Sequence, residues 1–583
     1  MSFITKLQWF FKQQLMHYVA VIVLMVIISV TNSVPPKIIG DLIDQIKKGL
    51  LTEAILAQTV GLLIGLALLR YATSYFSITT LFGNSNLLET VLRGKLFVHL
   101  TRMAPSFYHR NRTGDLMALA TNDIVAISQT AGYGVLTLAN TLIGTTVVLV
   151  SMVAFTSWKL MLAALLPLPF LAYAINKLGK VMRTRFLGAQ AAFGQMNDQA
   201  LESISGMRVI RSYVQESSDA AAFDRVTREV MQRNKKVAVT NALFQPVVST
   251  IVGMSYAISF GYGAYLVFHG DMTLGQLVSF TVYLGLLIWP MIAFGEFINV
   301  LQRGSASVDR LENALAQTAD VAAPERPADV PVPTLIELKS LTFRYPGAPS
   351  DSLSAISLTV ERGQTIGIVG RTGSGKSTLL KQLLRQYPIE PDRLFVAGVP
   401  IERITPEQVR SWSGYVPQEH LLLSRSIRDN IKLGKPEAAE EELQRATEMA
   451  SFAQDVGQMA EGLATVVGEH GVMLSGGQKQ RLSIARALLA DPEMLILDDA
   501  LSAVDARTES AILHNIRRER AGRTTWIATH RLSAVSHADW IVVLDRGRIV
   551  EEGTHEQLMM LGGWYKTQYE RQQMEANLLQ DGV

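Results

Sequence analysis

The chain has 583 residues, of which 48% are hydrophobic and 18% charged, with a formal net charge of +3. Such a length exceeds what one hydrophobic core supports and implies two or three domains, while the small charge gives no footing for a nucleic-acid partner. Cysteine is absent, which excludes disulfides, thiolate metal sites and cysteine nucleophiles; the absence suits a reducing compartment and would equally follow from removal by engineering.

Residues 1–17 place Phe3, Leu7, Phe10 and Phe11 among Lys6 and Lys12, the pattern of an elbow that lies in the bilayer interface before the chain enters it. The apolar run that follows reaches Pro35 and Pro36 without a small-residue cleavage site. It is too long for a signal-peptide core and is expected to be retained.

Residues 18–320 read as a transmembrane domain. Six stretches are apolar and long enough to cross about 30 Å of hydrocarbon as helices: 18–34, 54–82, 135–155, 160–175, 243–268 and 274–300. The fourth holds Pro167 and Pro169 and is expected to kink. The connections after the second and fourth stretches are long, periodic and rich in Arg and Lys, whereas Ser157-Trp158-Lys159 and His269-Gly270-Asp271 are short turns. The positive-inside rule puts both long connections, both termini and everything beyond the sixth span in the cytoplasm, with the membrane helices running on past the bilayer. Asn111 to Leu116 and Ser203 to Arg208 break these connections and are places for short crosswise helices.

Two ionisable residues fall inside spans, Arg70 and Glu296. A carboxylate at membrane depth is expensive and belongs against a cavity or a partner. Glu296 is therefore a candidate contact for a cationic substrate, the alternatives being a helix-to-helix ion pair or a place in the headgroup layer. Tyr283, Trp289, Met291 and Phe294 are candidate pocket-lining side chains nearby, although aromatic and methionine side chains in a span serve packing equally well.

Residues 321–334 contain Pro324, Pro327, Pro331 and Pro333 and read as an extended linker. From 335 to 573 short apolar strands alternate with helical stretches, the signature of an α/β domain, and 574–583 is a polar tail. The apolar run Thr365 to Val369 leads into Gly370-Arg371-Thr372-Gly373-Ser374-Gly375-Lys376-Ser377-Thr378. Glycines at these positions let successive N–H groups turn around a phosphate at a helix N-terminus; Lys376 reaches the β/γ-phosphates and Ser377 offers a hydroxyl to Mg²⁺. Tyr345 stands at a strand end ahead of this loop, placed to stack on an adenine ring. Gln418 leaves a strand and can ligate Mg²⁺ or position a water. Met494 to Asp498 reads as a buried parallel strand that delivers Asp498 to the metal, and Thr524 to Ala528 delivers His530 to the same edge, where open α/β sheets bind ligands.

Taken in order, the phosphate loop, Gln418, Leu474-Ser475-Gly476-Gly477-Gln478, the Asp498 strand, Ser502-Ala503-Val504-Asp505 and His530 resemble a bacterial half-transporter of the ATP-binding cassette (ABC) exporter family over nearly the whole chain. Thr465 to Gly471 is similar to that family's crosswise-helix contact segment, and the two breaks above resemble its coupling helices. The resemblance implies a six-helix exporter fold followed by a phosphate-loop α/β domain. It also implies a second half-transporter as partner, with each ATP held between one chain's phosphate loop and the other chain's Ser475–Gln478 segment. Chromosome-maintenance ATPases share the nucleotide motifs but not the six apolar spans.

One position departs from the family. A Glu usually follows the Asp498 position as the base that polarises the attacking water; here Asp499 follows, shorter by one methylene, about 1.5 Å. A base must sit within about 2.6–3.2 Å of its proton, so the shortfall slows hydrolysis. With the Ser475–Gln478 segment intact, the chain looks like the degenerate-site subunit of a heterodimeric multidrug exporter in the plasma membrane, moving hydrophobic or amphipathic compounds. The alternatives are a homodimeric lipid or peptide translocator, in which Asp499 acts through an extra water, and an ATP-binding regulatory subunit with little hydrolysis of its own.

Overall fold

A computed structural model describes residues 2–468 and 473–580. Two compact units divide the chain: residues 1–98 with 116–316, and residues 99–115 with 317–583. The expected membrane domain of 18–320 therefore differs in two respects, because the first long connection at 99–115 and residues 317–320 cluster with the second unit.

Among the described residues six helices are long and apolar enough to cross a membrane: Leu15–Lys47, Glu53–Thr101, Thr113–Phe155, Trp158–Ser205, Glu216–Phe268 and Leu274–Leu315. At about 1.5 Å per residue a helix of 49 residues is roughly 73 Å long, more than twice the hydrocarbon thickness, so the extension beyond the bilayer read from the charged connections is present. The fourth is interrupted between Leu165 and Leu168, where Pro167 supplies no N–H to the preceding turn. Three single π-turns interrupt the third, at Leu119–Asp123, Thr130–Gly134 and Asn140–Gly144. The middle one lies against the sixth helix. Thr130 donates to the Val300 carbonyl at 3.0 Å, and a Cβ on Gly304 would stand 2.1 Å from the Thr130 hydroxyl. At the end expected to face outward, the Asp44 carboxylate accepts from the Gly275 N–H at 2.8 Å and the Thr273 hydroxyl at 2.6 Å, capping the sixth helix from the first.

The N-terminal elbow forms two short helices, Ser2–Lys6 and Gln8–Gln13. Lys6 pairs with Asp309 at 2.9 Å and with Glu312, both near the end of the sixth helix. Of the two crosswise helices, Met207–Ser212 sits at the expected break. The other is displaced: Pro105–Arg110 forms ahead of Asn111–Leu116 because Pro105 sets the first helical φ and Asn111 turns extended at φ −112°.

Among the described residues the second unit carries ten strands: β1 Leu335–Phe343, β2 Leu353–Glu361, β3 Thr365–Gly370, β4 Leu394–Val396, β5 Val399–Pro400, β6 Ser413–Val416, β7 Met494–Asp498, β8 Thr524–Ala528, β9 Trp540–Asp545 and β10 Arg548–Gly553. They form a small antiparallel sheet in the order β2-β1-β4-β5 and a six-stranded sheet in the order β10-β9-β3-β8-β7-β6, parallel from β9 to β6. Every residue of β7 and β8 is buried, as expected for strands covered on both faces. The linker makes no helix or strand but is not free. Its Ala328 N–H donates to the Arg403 carbonyl at 2.7 Å, and Val330, 4% exposed, joins the core of the soluble unit. The last helix, Trp564–Gln580, runs through most of the expected tail, whose residues 581–583 lie outside the described residues.

Candidate nucleotide-binding site

The parallel order places the C-terminal ends of β3, β7 and β8 side by side with β6 at the edge, and the sequence puts a chemically useful residue just beyond each. A cavity of about 590 Å³ opens there, lined by the phosphate loop from Thr372 to Thr378 together with Gln418, Asp498, Asp499 and His530. Residues spread over more than 150 positions of sequence thus converge as expected.

The loop is shaped by glycine where nothing else fits. Gly373 and Gly375 adopt positive φ of 79° and 105°, and a Cβ on Gly370 would stand 2.1 Å from the Leu544 carbonyl. Lys376 opens the helix Lys376–Leu383, 7% exposed, and its ammonium donates to the carbonyls of Gly370 at 2.9 Å and Arg371 at 3.0 Å. Burial pushes its pKa down, opposed by the charges of Asp499 and Asp498. The Ser374 hydroxyl is buried in the cradle without a partner, a donor that a phosphate oxygen would satisfy.

Asp498 is 2% exposed at the end of β7. It accepts from the Ser377 hydroxyl at 2.8 Å and from the Tyr415 hydroxyl at 3.3 Å. Desolvation holds its carboxyl above the usual range, with the two hydroxyls pulling the other way. Ser377, Asp498 and Gln418 all line the cavity and offer hard oxygen donors, a set whose chemistry fits Mg²⁺ with retained waters. Asp499 has φ +49°, a left-handed conformation that Asp tolerates better than most residues. Its backbone is fixed at two points: its N–H donates to the Ala528 carbonyl at 2.8 Å and its carbonyl accepts from the Ser502 hydroxyl at 3.0 Å. Burial pushes the His530 imidazole below its ordinary pKa, with Lys376 adding to the effect, so it is neutral at pH 7.

Tyr345 differs from the exposed stacking residue expected. Its hydroxyl donates to Thr378 at 3.2 Å, and its ring meets Phe343 and Tyr387 edge-on at 4.9 and 5.1 Å. It is half-buried and tied to the phosphate-loop helix, and the His109 ring of the first crosswise helix lies 3.1 Å from the Tyr387 hydroxyl behind it.

Ser475–Gln478 does not line this cavity. It forms the N-terminus of the helix Gly476–Leu489, with a reciprocal cap: Gln478 N–H to the Ser475 hydroxyl at 3.3 Å, and Ser475 N–H to the Gln478 amide oxygen at 2.9 Å. A Cβ on Gly477 would meet the Ala503 carbonyl at 2.9 Å. Gln480 binds both the Ser502 hydroxyl and the Ala503 N–H, so this helix and the Ser502–Asp505 loop form one piece. Of the contact segment 465–471, residues 469–471 lie outside the described residues.

Several supporting residues escaped the sequence reading. Gln572, on the final helix, donates to the His530 carbonyl at 2.9 Å and accepts from the Leu532 N–H at 2.9 Å, fixing the histidine loop. Arg531 bonds the carbonyls of Val504 and Ser502 at 2.9 Å and pairs with buried Glu509 at 2.5 Å. Gly547 donates to the Ser374 carbonyl at 2.9 Å, beside Ser352. None lies in a motif; only Arg531 adjoins one.

The membrane candidates scatter. Tyr283 is fully buried and its hydroxyl donates to the Ser33 carbonyl at 2.6 Å, which makes it a bond between the first and sixth helices instead of a cavity wall. Trp289 and Phe294 are exposed on the single chain, and the Met291 side chain lies outside the described residues. Glu296 accepts from the Tyr133 hydroxyl at 3.0 Å, from the middle π-turn of the third helix, and Arg70 donates to the Asn32 amide oxygen at 3.1 Å. Each is thus satisfied by a neutral partner on a neighbouring helix.

Comparisons with known proteins agree with the geometry. Residues 18–291 match the ABC transporter transmembrane region and residues 353–502 match the ABC transporter nucleotide domain. The chain is 52% identical to the Bacillus subtilis "Probable multidrug resistance ABC transporter ATP-binding/permease protein YheI", over 98% of each chain. It is 39% identical to the Escherichia coli "Multidrug resistance-like ATP-binding protein MdlA", over 99% of this chain and 98% of that one. A solved bacterial Atm1-family ABC exporter with ATP bound is similar at TM-score 0.79 and 26% identity, over 96% of this chain and 98% of that one.

Proposed function

This chain belongs to the ABC transporter family, as an ATP-driven half-transporter of the multidrug-resistance exporter type, and from that premise we propose that it is the slow-site half of a heterodimer. The observation that carries this reading is Asp499 on a fixed backbone in an otherwise complete cavity, together with an intact, capped Ser475–Gln478 helix that contributes nothing to that cavity. Such a helix N-terminus is free to meet the phosphates held by another chain.

In the proposed cycle Lys376 and the loop N–H groups hold the β- and γ-phosphates, and Tyr345 steadies the base end of the site. Ser377, Asp498 and Gln418 would hold Mg²⁺, which when bound neutralises charge between the β- and γ-phosphates. Neutral His530 donates to the γ-phosphate. Asp499 is a base held about 1.5 Å short of its task, so ATP here acts mainly as adhesive between two nucleotide-binding units, while Ser475–Gln478 completes a faster site on a partner carrying Glu. Closure of the pair favours an outward-open membrane half, and hydrolysis in the fast site resets it. The cargo is hydrophobic or amphipathic, in keeping with what YheI and MdlA are named for, with Glu296 and Tyr133 a polar mark for a cationic cargo. The nucleotide-binding unit and both termini are cytoplasmic, below the plasma membrane.

Co-purification of a tagged chain from its native membrane tests the reading. A second, different half-transporter with Glu after its Asp498 equivalent is the expected companion; recovery of this chain only with itself overturns the heterodimer.

A further inference from the structure

A second cavity, of about 130 Å³, lies at the opposite edge of the large sheet, where β3 and β8 begin. At about 30 Å³ per water in the liquid it has room for roughly four waters. Its walls include Arg517, Arg520, Arg523, His537 and Asp539. Thr365, which also lines it, starts the strand that ends in Gly370, so with about 3.3 Å per residue the two sites are roughly 17 Å apart.

Arg520 is the telling residue. Only 5% of it is exposed, yet of its five N–H donors one alone finds an acceptor, the Thr524 carbonyl at the long distance of 3.5 Å, and its Nε has no partner. Burial, with Arg523 close by, pulls its pKa down to about 10, the charges of Asp491 and Glu493 opposing without bonding it. Nearby carboxylates are engaged elsewhere. Asp491 takes the fork of Arg523 with both oxygens, Glu493 is held by Arg362 at 2.6 Å, and Asp539 accepts from the Thr365 N–H at 2.7 Å. Arg517 has no counter-ion among the described residues, and the buried Nε2 of His537 has no hydrogen-bond partner. Arginines after a helix often complement its negative end, here that of Ala506–Glu519. That accounts for exposed Arg517 but not for a buried guanidinium that touches none of the helix's last carbonyls.

We infer that this pocket binds a small dianionic tetrahedral oxyanion of the phosphate class, gripped by Arg520 and Arg517 with His537 as a further hydrogen-bond partner. Two uncommitted guanidiniums match two charges, and a tetrahedral ion presents acceptors on every side; a carboxylate would leave one cation unmatched. The site is separate from the ATP cradle.

Equilibrium dialysis of the full chain with radiolabelled inorganic phosphate, at constant ionic strength made up with chloride, tests it. The Lys376→Ala variant is used throughout so that the cradle is silent. One saturable phosphate per chain is expected, displaced by sulfate. Arg517→Ala, which removes an exposed side chain without a partner, weakens it at least tenfold, and Arg520→Gln abolishes it. Parallel dialysis with glycerol phosphate distinguishes the free ion from a phosphate monoester by which of the two binds more tightly. Should Arg520→Gln fail to fold, Arg517→Ala decides alone. Absence of saturable binding, or binding indifferent to Arg517→Ala, overturns the inference and leaves the cavity to water.

Discussion

On the reading proposed above, replacing Asp499 by Glu restores the reach of the base. The backbone at 499 is anchored by the Ala528 carbonyl at 2.8 Å and the Ser502 hydroxyl at 3.0 Å, so the added methylene extends the carboxylate into the cavity instead of shifting the chain. General-base contributions span about 10²–10⁴ in rate, and a carboxylate about 1.5 Å out of contact forfeits most of that. The expected gain in kcat for Asp499→Glu is therefore about 10–100-fold, equivalent to about 1.4–2.7 kcal/mol in barrier. KM for ATP should hold within about twofold, because Lys376, Ser377 and the loop amides are untouched. Glu is less content than Asp at φ +49°, so a stability loss under about 1 kcal/mol accompanies the gain. The assay is steady-state ATPase of the chain purified alone in lipid nanodiscs, wild type against Asp499→Glu, with Asp499→Asn as the floor. Brisk wild-type turnover that Glu does not improve refutes the short-base argument, and with it the main physical reason for unequal sites.

Two further predictions concern Gly477 and His537. Gly477→Ala puts a Cβ 2.9 Å from the Ala503 carbonyl, forcing the Gly476–Leu489 helix away from the Ser502–Asp505 loop; a stability loss of about 1–3 kcal/mol is expected by chemical denaturation. In the assembled pair, hydrolysis at the partner's site should fall while nucleotide binding at Lys376 persists, as read by photolabelling. His537 supplies a pH dependence. Burial, with the Arg517 charge in support and Asp539 opposed, holds its folded pKa at about 4 against 6.5 unfolded. Between those values the unfolded chain takes up a proton that the folded one refuses, so stability is flat above pH 6.5 and falls as pH drops toward 4, by up to about 3 kcal/mol. Urea unfolding in chloride buffer, followed through fully buried Trp526, should show that slope, and His537→Asn should flatten it; an unchanged slope in the variant places the lost stability on other groups.

The nucleotide site was legible because its chemistry is local in sequence. A phosphate loop needs its glycines and lysine in one run, and a buried parallel strand announces itself as five apolar residues before a carboxylate, as Met494–Asp498 does. The six spans were legible for a similar reason, hydrocarbon thickness being written as run length. What escaped depends on approach between distant parts. Gln572 reaches the His530 carbonyl across 42 positions, and an isolated Gln on a polar helix carries no sign of that errand. Tyr283 shows the converse: in a span, a side chain that packs against another helix and one that faces a cargo are spelled alike, and only the 2.6 Å bond to Ser33 tells them apart. The first crosswise helix forms a few residues ahead of the Asn111–Leu116 break, because Pro105 fixes the first helical φ and so sets the start of the helix.

These differences bear on how ATP moves the membrane half. The first crosswise helix clusters with the soluble unit, held by Arg110 on Asp320 at 2.8 Å and by His109 against Tyr387 at 3.1 Å. Tyr387 meets Tyr345, and Tyr345 bonds Thr378, which adjoins Ser377 in the phosphate-loop helix. A movement of Tyr345 therefore acts on a packed set of rings ending on that helix, with no hydrolysis in the path. For the slow-site subunit proposed above this is the useful arrangement, because differential binding energy alone can then bias the two states. In the proposed heterodimer hydrolysis is needed only to undo the clamp, and one competent site in the pair suffices for that.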